Sequence, residues 1–430
     1  MTAPLSLIVT LLVVFLGAGV WIGLTLVAVG AITLSTFRDM PVGDLLAFDM
    51  WNSLTANELV SLPMFILMGE ILFHSRLSEA VFSGLAPWIR RIPGRLLHAN
   101  VIGCTLFAAV SGSSAATTAT IGRMTLSELK RRGYNLDLAM GSLCGAGTLG
   151  FLIPPSIIMI VYGVLAQVSI IDLFIAGVIP GALLALAFMA YVAVRAGLSP
   201  HLVPAQEQST TWAEKRQALL DLGPIVLLIA LVIGSMYTGI AGPSEAAVVG
   251  VFGALIVAAA QRCLTWANLK ASLMSAVKTC SMIGLIVAGA LFLSKAAAFL
   301  QLPEKIAGEI GALNLGPFAL ILLLMAVYIV LGCIIDGLSC IVMTLPIVLP
   351  LVVQAGFDPV WFGVFLVIVV EMSQVTPPVG FNLFVVQGLT GESMSRVAAA
   401  SFPFFLIMIG FAVLIALVPE IVLYLPRSMN

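Results

Sequence analysis

The sequence predicts an all-α polytopic membrane protein built as an inverted repeat, with two re-entrant helical hairpins and two broken helices. Three observations predict it. Of 430 residues, 61% are hydrophobic and only 9% charged, with a mean hydropathy of +1.17. A soluble domain carries about a quarter charged residues. The same pair of interruptions occurs twice in the apolar runs, at matched spacing. The Lys and Arg residues are unevenly spread around those interruptions.

The bulk numbers also exclude functions. A formal net charge of −1 gives no electrostatic case for nucleic acid. The six cysteines, Cys104, Cys144, Cys263, Cys280, Cys333 and Cys340, show no metal-ligand or disulfide spacing and read as small apolar fillers. His74, His98 and His201 have no metal or haem-pair spacing, and no G-x-x-x-x-G-K-[ST] phosphate loop occurs. A redox or proton-conducting subunit would need haem-ligand histidines or an acidic relay, and the chain has neither.

The N-terminus is apolar from Pro4 to Phe37, with no charge before Arg38, so it lacks the basic start of a secretory signal. As one straight helix these 34 residues would run about 51 Å, well beyond a hydrocarbon core of about 30 Å. Gly17-Ala18-Gly19 could turn the chain into two tight spans; one long tilted helix is the alternative. With the segment to 56, these residues are read as scaffold spans. Residues 57–198 form the first repeat, 199–221 a polar linker, 222–278 further scaffold, and 279–430 the second repeat. In the first repeat, Leu77, Val81, Leu85, Trp88 and Ile89 recur at helical spacing, which predicts an arm helix lying in the membrane interface.

The interruptions follow. In the first repeat, Ser111-Gly112-Ser113-Ser114 breaks one run, and Ile153-Pro154-Pro155-Ser156 breaks the next, 42 positions on. In the second, Asp336-Gly337-Leu338-Ser339 is followed 40 positions on by Thr376-Pro377-Pro378-Val379-Gly380. Pro155 to Pro180 and Pro378 to Pro403 are each 25 positions. Arg90, Arg91 and Arg95 precede the first glycine break, and Arg123, Lys130, Arg131 and Arg132 follow it. None of the residues from Ile306 to Ser395 is Lys or Arg. If basic flanks are cytoplasmic, residues 96–130 enter and leave on one side as a hairpin. Residues 317–355 then form its inverted twin, and 136–166 and 359–388 are the broken helices. Counting spans on this basis leaves most basic residues on one face; Arg38, Lys295, Lys305 and Arg427 are exceptions.

Paired interrupted helices at matching places mark the site of a secondary transporter. Backbone that leaves the helix at membrane depth survives only when it is buried in protein or lines a wet cavity. Freed carbonyls and hydroxyls can hold a hard cation, and half-helix N-termini favour an anionic group. The first half supplies Ser111, Ser113, Ser114, Thr117 and Thr118, with Gly145, Gly147, Thr148 and Gly150 where backbone can approach closely. The second supplies Asp336, Ser339, Thr376 and Asn382. Each feature has a blander reading: small residues pack membrane helices, and Pro-Pro kinks them. The duplication favours a shared site. Among ionisable residues in or beside apolar runs, Glu70, Glu245, Asp336 and Glu371, Asp336 stands directly at a break and ranks first. Glu245 reads equally as a helix-start charge, and Glu371 as facing either a cavity or a scaffold partner.

Several stretches resemble the large membrane subunit of the tripartite ATP-independent periplasmic (TRAP) transporters. They are Pro63-Met64-Phe65-Ile66-Leu67-Met68-Gly69-Glu70, Ser111-Gly112-Ser113-Ser114-Ala115-Ala116-Thr117, Gly147-Thr148-Leu149-Gly150-Phe151-Leu152-Ile153-Pro154-Pro155-Ser156, Ala176-Gly177-Val178-Ile179-Pro180-Gly181, Ser244-Glu245-Ala246-Ala247 and Thr376-Pro377-Pro378-Val379-Gly380-Phe381-Asn382-Leu383-Phe384, with the Pro403 region. The resemblance spans nearly the whole chain. It implies an elevator-type, Na⁺-driven importer of carboxylates in the bacterial inner membrane, and not an enzyme. As partners it implies a small four-helix membrane subunit and a periplasmic substrate-binding protein. Carried over to matching positions, it implies Na⁺ sites where Ser111, Gly112, Ser113 and Ser114 meet Gly147, Thr148, Gly150, Pro154 and Pro155. A second set lies where Asp336, Gly337 and Ser339 meet Thr376, Pro377, Pro378, Gly380 and Asn382. A standalone ion-coupled carboxylate carrier of the same plan is the alternative.

Overall fold

The structure, a computed structural model, describes residues 2–204, 211–302, 305, 308, 316–378 and 380–429. Every regular element among them is helical. The first helices are α1 (Thr2–Gly17), α2 (Ile22–Phe37), α3 (Val42–Leu54), α4 (Ser61–Phe73) and α5 (Leu77–Ile89). Then come α6 (His98–Ser111), α7 (Ser114–Arg131), α8 (Leu136–Gly147), the single turn α9 (Leu149–Leu152), α10 (Ile157–Ala166) and α11 (Ile170–Leu198). The middle holds α12 (Trp212–Tyr237), α13 (Pro243–Ala260) and α14 (Trp266–Phe299). The last are α15 (Pro317–Gly332), α16 (Gly337–Gln354), α17 (Pro359–Ser373), α18 (Phe381–Thr390), α19 (Met394–Leu417) and α20 (Glu420–Met429). Six of these are long and apolar enough to cross a membrane, or up to eight if each bent pair is one span.

Helix starts follow local chemistry. Ser156, Ser169, Thr211, Thr265 and Ser393 each cap a helix by accepting a backbone N–H with the side chain. Side-chain oxygens at these positions satisfy one of the N–H groups a helix start leaves open. Asp358 caps α17 for Val360 and Trp361, with Pro359 in the first turn, where its fixed φ costs nothing. The N-terminal apolar run turns at Gly19 (φ +77°), so it forms two helices rather than one long one.

Two differences from the sequence reading have physical causes. α14 begins at Trp266, well before the apolar run at 279, because helix geometry persists into the polar residues around Lys270 and Lys278. The C-terminal segment splits into α19 and α20 at Val418, which precedes Pro419 and leaves helix geometry at φ −127°, ψ 76°, outside the α region that is disfavoured before proline. The apolar stripe of the arm, Leu77, Val81, Leu85 and Ile89, is buried. It lies where α5 packs on α12 and α6, so the stripe faces protein. Trp88 stays half exposed, with the Lys215 ammonium 5.5 Å from its ring centre.

Packing sorts the helices into two sets. In one, α2 lies along α14, α4 packs on α13 and α14, and α12 packs on α5 and α13. Close approach of α2 to α14 depends on small residues: a methyl on Gly23 would meet Leu285, and one on Gly30 would meet Phe292 at 2.9 Å. The other set surrounds α8 and α17. Residues Leu138–Gly147 of α8 and Trp361–Ser373 of α17 are all buried. Helices that are apolar on every face belong in such interiors. These two are the first arms of the broken helices. The hairpin arms α6 and α7 pack together, as do α15 and α16, where Tyr328 Oη and Thr344 Oγ1 lie 2.6 Å apart. The repeats join directly: the Tyr162 hydroxyl of α10 donates to the Pro359 carbonyl at 2.6 Å.

This arrangement predicts that cysteines placed at 91 and 131, flanking the first hairpin, are both labelled by an impermeant thiol reagent from the cytoplasmic face. Cysteines at 316 and 356, flanking the second, should be labelled from the opposite face. Labelling of 91 and 131 from different faces would show that α6 and α7 together cross the membrane rather than fold back.

Candidate functional site: two hairpin tips set against two broken helices

The first hairpin turns on Gly112, at φ +58°, whose N–H closes α6 on the Ala108 carbonyl at 3.0 Å. That left-handed conformation is open to glycine without a Cβ penalty. Ser113 then caps α7, its Oγ accepting from Ala116 N. Ser111 Oγ and Thr117 Oγ1 pair at 2.8 Å across the tip. In the second hairpin Asp336 takes the position of Ser113. Its Oδ2 accepts from Ser339 N at 3.1 Å, and the Ser339 hydroxyl donates to its other oxygen. Both carboxylate oxygens of Asp336 are therefore used in starting α16. The acid ranked first in the sequence is a helix cap, and the Ser three residues on is the sequence sign of it.

The breaks in the long helices match as well. α8 gives way to α9 at Thr148, whose hydroxyl donates to Gly145 O at 2.6 Å. The chain then extends through Ile153–Ser156 before α10, a bend of 41°. α17 ends at Ser373, and the chain runs to Gly380 before α18. The Pro154-Pro155 and Pro377-Pro378 bonds are both cis. Thr376 Oγ1 donates back to Ser373 O at 3.0 Å and lies 3.3 Å from Cys333 Sγ in the second hairpin turn. Val379 lies outside the described residues.

Each hairpin tip sits on the break of its own repeat. A methyl on Gly112 would lie 3.1 Å from the Pro155 carbonyl oxygen, and one on Gly150 would lie 2.7 Å from Ser114 N and Cα. In the second repeat, a methyl on Gly332 would collide with Ser373, and one on Gly337 would reach Gln374 Nε2 at 3.5 Å. The predicted groups Ser111–Ser114 with Gly147–Pro155, and Asp336–Gly337 with the α17–α18 break, are thus each brought together.

The exception is Asn382. Only its backbone N–H serves its own break, donating to Gln374 O at 3.2 Å. Its side chain reaches the first hairpin: Nδ2 donates to Ser114 Oγ at 2.9 Å and stands 3.4 Å from Cys144 O. The cause is the packing of α18 along α7. Ser114 Oγ also lies 3.1 Å from Gly147 O and 3.0 Å from Glu371 Oε2. Glu371 thus faces neither a cavity nor a scaffold partner but the first hairpin tip.

Two crevices separate the packing sets. One, about 500 Å³, is lined by Gly69, Glu70, His74, Ser111, Ser113 and Ser275 and reaches the first hairpin tip. The other, about 780 Å³, is lined by Asn52, Gln167, Ser169, Ser244 and Lys295, near the opposite helix ends. Arg38 and Lys295, two of the cations that fall off the basic face, are both engaged in the first packing set. Arg38 donates to the Phe299 carbonyl at 2.6 Å, and Lys295 pairs with buried Asp49. Glu245 lies exposed in the first turn of α13, as expected of a helix-start charge.

Comparisons with known proteins decide the family. The family model described as "Tripartite ATP-independent periplasmic transporter, DctM component" matches residues 8–421. The chain belongs to the DctM family. It is similar to the C4-dicarboxylate TRAP transporter large permease protein DctM of Pseudomonas aeruginosa, 32% identical over 400 residues, covering 93% of this chain and 92% of that one. It is also similar to the ectoine/5-hydroxyectoine TRAP transporter large permease protein UehC of Ruegeria pomeroyi, 31% identical, covering 99% and 98%. The crystal structure of the YdaH transporter of Alcanivorax borkumensis, described as having an unusual topology, shares the fold at TM-score 0.69. That match has 14% identity and covers 95% of this chain and 98% of that one.

As a DctM-family permease the chain is a multi-pass protein of the bacterial inner membrane and not an enzyme. TRAP large permeases work with a small membrane subunit and a periplasmic binding protein. The close contact of Gly150 with Ser114 makes a prediction for this permease. Gly150→Ala should lower the melting temperature of the detergent-solubilised protein, by the equivalent of about 1–3 kcal/mol of overpacking. Gly410→Ala, where nothing lies within 4 Å, should lower it little or not at all.

Proposed function

We propose that this chain is the Na⁺-coupled large permease of a tripartite importer for a small organic acid, carried by an elevator movement. The observation that carries the reading is the meeting of each hairpin tip with the break of its own repeat. Backbone freed from helix geometry there offers carbonyls beside the hydroxyls of Ser111, Ser113, Ser114 and Thr376. Hard cations take such oxygen ligands. The starts of α7 and α16 bring helix N-termini to the same region, where they favour an anionic group.

The division of labour follows the packing. Residues 1–56 and 222–278, with α4 and α14, make the scaffold. The hairpins and broken helices of 57–198 and 279–430 make the moving part, linked by 199–221. Residues 205–210 of that linker lie outside the described residues. The crevice that reaches Ser111 and Ser113 is bounded by the α14 end that carries Lys270 and Lys278, the basic face. The conformation is therefore read as inward-facing. A substrate-binding protein would deliver the acid on the other face, and a four-helix subunit would pack on the scaffold's exposed apolar surface. Most of the loop Gln301–Pro317, read as part of the docking face, lies outside the described residues.

The substrate is found first by screening small organic acids, including C4-dicarboxylates, against the partner binding protein. Uptake of that ligand is then measured in proteoliposomes. Uptake should require an inward Na⁺ gradient. Ser113→Ala and Thr376→Ala should each raise the Na⁺ needed for half-maximal uptake roughly tenfold, equivalent to about 1.4 kcal/mol. Equal uptake driven by a proton gradient without Na⁺ would refute the coupling. The chain alone should give no uptake until both partners are added; full uptake by the isolated chain would make it a standalone carrier.

A further inference from the structure

Glu371 is 1% exposed in the last turn of the buried helix α17, and its Oε1 has no hydrogen-bond partner. Its Oε2 lies 3.0 Å from Ser114 Oγ. The same Ser114 hydroxyl lies 3.1 Å from the Gly147 carbonyl and 3.3 Å from Asn382 Oδ1. A hydroxyl carries one proton, so it satisfies one of these three acceptors at a time. Asn382 Nδ2 donates to the same hydroxyl oxygen at 2.9 Å, so three acceptors contest the one Ser114 proton and Glu371 Oε1 receives none, at a point where lipid and protein exclude water. An uncompensated carboxylate in such a place is costly.

We propose that Glu371, Ser114, Gly147 and Asn382 form a monovalent cation site that binds Na⁺ between the two repeats. It rests on the Na⁺-coupled reading above and places one coupling ion outside the confines of a single hairpin and its own broken helix. The donors are a carboxylate, a hydroxyl, a carbonyl and an amide oxygen, all suited to a hard ion. One positive charge cancels the one carboxylate, whereas a divalent ion would leave a net charge buried. Among the described residues no group of three or more His, Cys, Asp or Glu could hold a metal ion. The end of α8, which carries Gly147, brings partial negative charge that favours a cation, opposite the partial positive charge of the α7 start at Ser114. Ser111 and Ser113 line the 500 Å³ crevice, while Ser114 is 1% exposed behind them. The tip of the first hairpin therefore closes over the ion, and release requires that tip to lift.

The test is calorimetric titration of the purified full-length chain with NaCl against choline chloride. Infrared difference spectra of the carboxylate stretch are recorded on the same samples. Glu371→Gln keeps the side-chain shape and an oxygen to accept from Ser114. The expected result is Na⁺ affinity weakened about tenfold or more in Glu371→Gln. The wild type should also show a Na⁺-induced shift of a carboxylate band that the variant lacks. Unchanged Na⁺ affinity in Glu371→Gln, with affinity lost in Ser113→Ala, overturns this site and leaves the coupling reading standing. Absence of Na⁺ binding by the wild type overturns both. A carboxylic-acid band that persists in saturating Na⁺ and vanishes in Glu371→Gln also overturns the site, because the group then holds a proton.

Discussion

Lipid offers no hydrogen bonds, so each interruption of a helix inside the membrane must be answered by protein. Four interruptions occur here, and they answer one another in pairs. The tip at Gly112 lies against the Pro155 carbonyl, and the second hairpin turn lies against Ser373 and Gln374. Small residues make the approach close enough for this to work. A methyl on Gly147 would collide with the Thr118 hydroxyl, and Gly150 lies against the backbone of Ser114. The glycines and prolines here are the complement of broken backbone, because only thin backbone can reach the freed groups.

The buried helices α8 and α17 carry the consequence further. Being enclosed on all sides, they present polar groups only to protein. Asn100 of α6 donates to Ala139 O and Ser142 Oγ on α8, at 3.0 and 2.9 Å. The Trp361 indole donates to Ile415 O at 3.1 Å. Aromatic rings fill the remaining volume along one side of α17, where Phe357, Trp361 and Phe365 stack in series. The broken helices are therefore anchored in the interior by their first arms, and the hairpins lean on them.

Much of this was legible in the chain because breakers act locally. Gly112 and the two Pro-Pro pairs interrupt helices wherever they fall, and matched spacing exposed the duplication. Asp336 was weighed for binding because it stands at a break, although Asp is also a common helix N-cap. The partners of Glu371 and Asn382 were not legible. Ser114 lies 257 positions from Glu371 and 268 from Asn382. Their meeting depends on how α7 lies along α18, a packing register that no local pattern encodes. Helix α14 runs across the 278/279 boundary drawn between scaffold and second repeat. Hydropathy marks where lipid begins, while helix geometry continues past it into the residues around Lys270.

The two repeats share a plan but not a chemistry. Ser113 and Asp336 cap the second arms of the hairpins, so Ser114 and Gly337 occupy equivalent first helical positions. Each tip also touches the opposite repeat. Ser114 brings a hydroxyl to that crossing and meets Glu371 and Asn382. Gly337 brings no side chain: across the crossing a methyl there would lie 3.8 Å from Ile158 Cδ1, while within its own repeat it would meet Val370 Cγ1 at 2.6 Å and Gln374 Nε2 at 3.5 Å. The first crossing is thus built from polar side chains, and the second meets an apolar one. A dry contact has one natural state, close-packed. A polar contact around a buried carboxylate depends in free energy on what satisfies that group. Duplication therefore supplies the matched geometry, and the residues that follow the caps, Ser114 and Gly337, decide what each tip offers across the crossing.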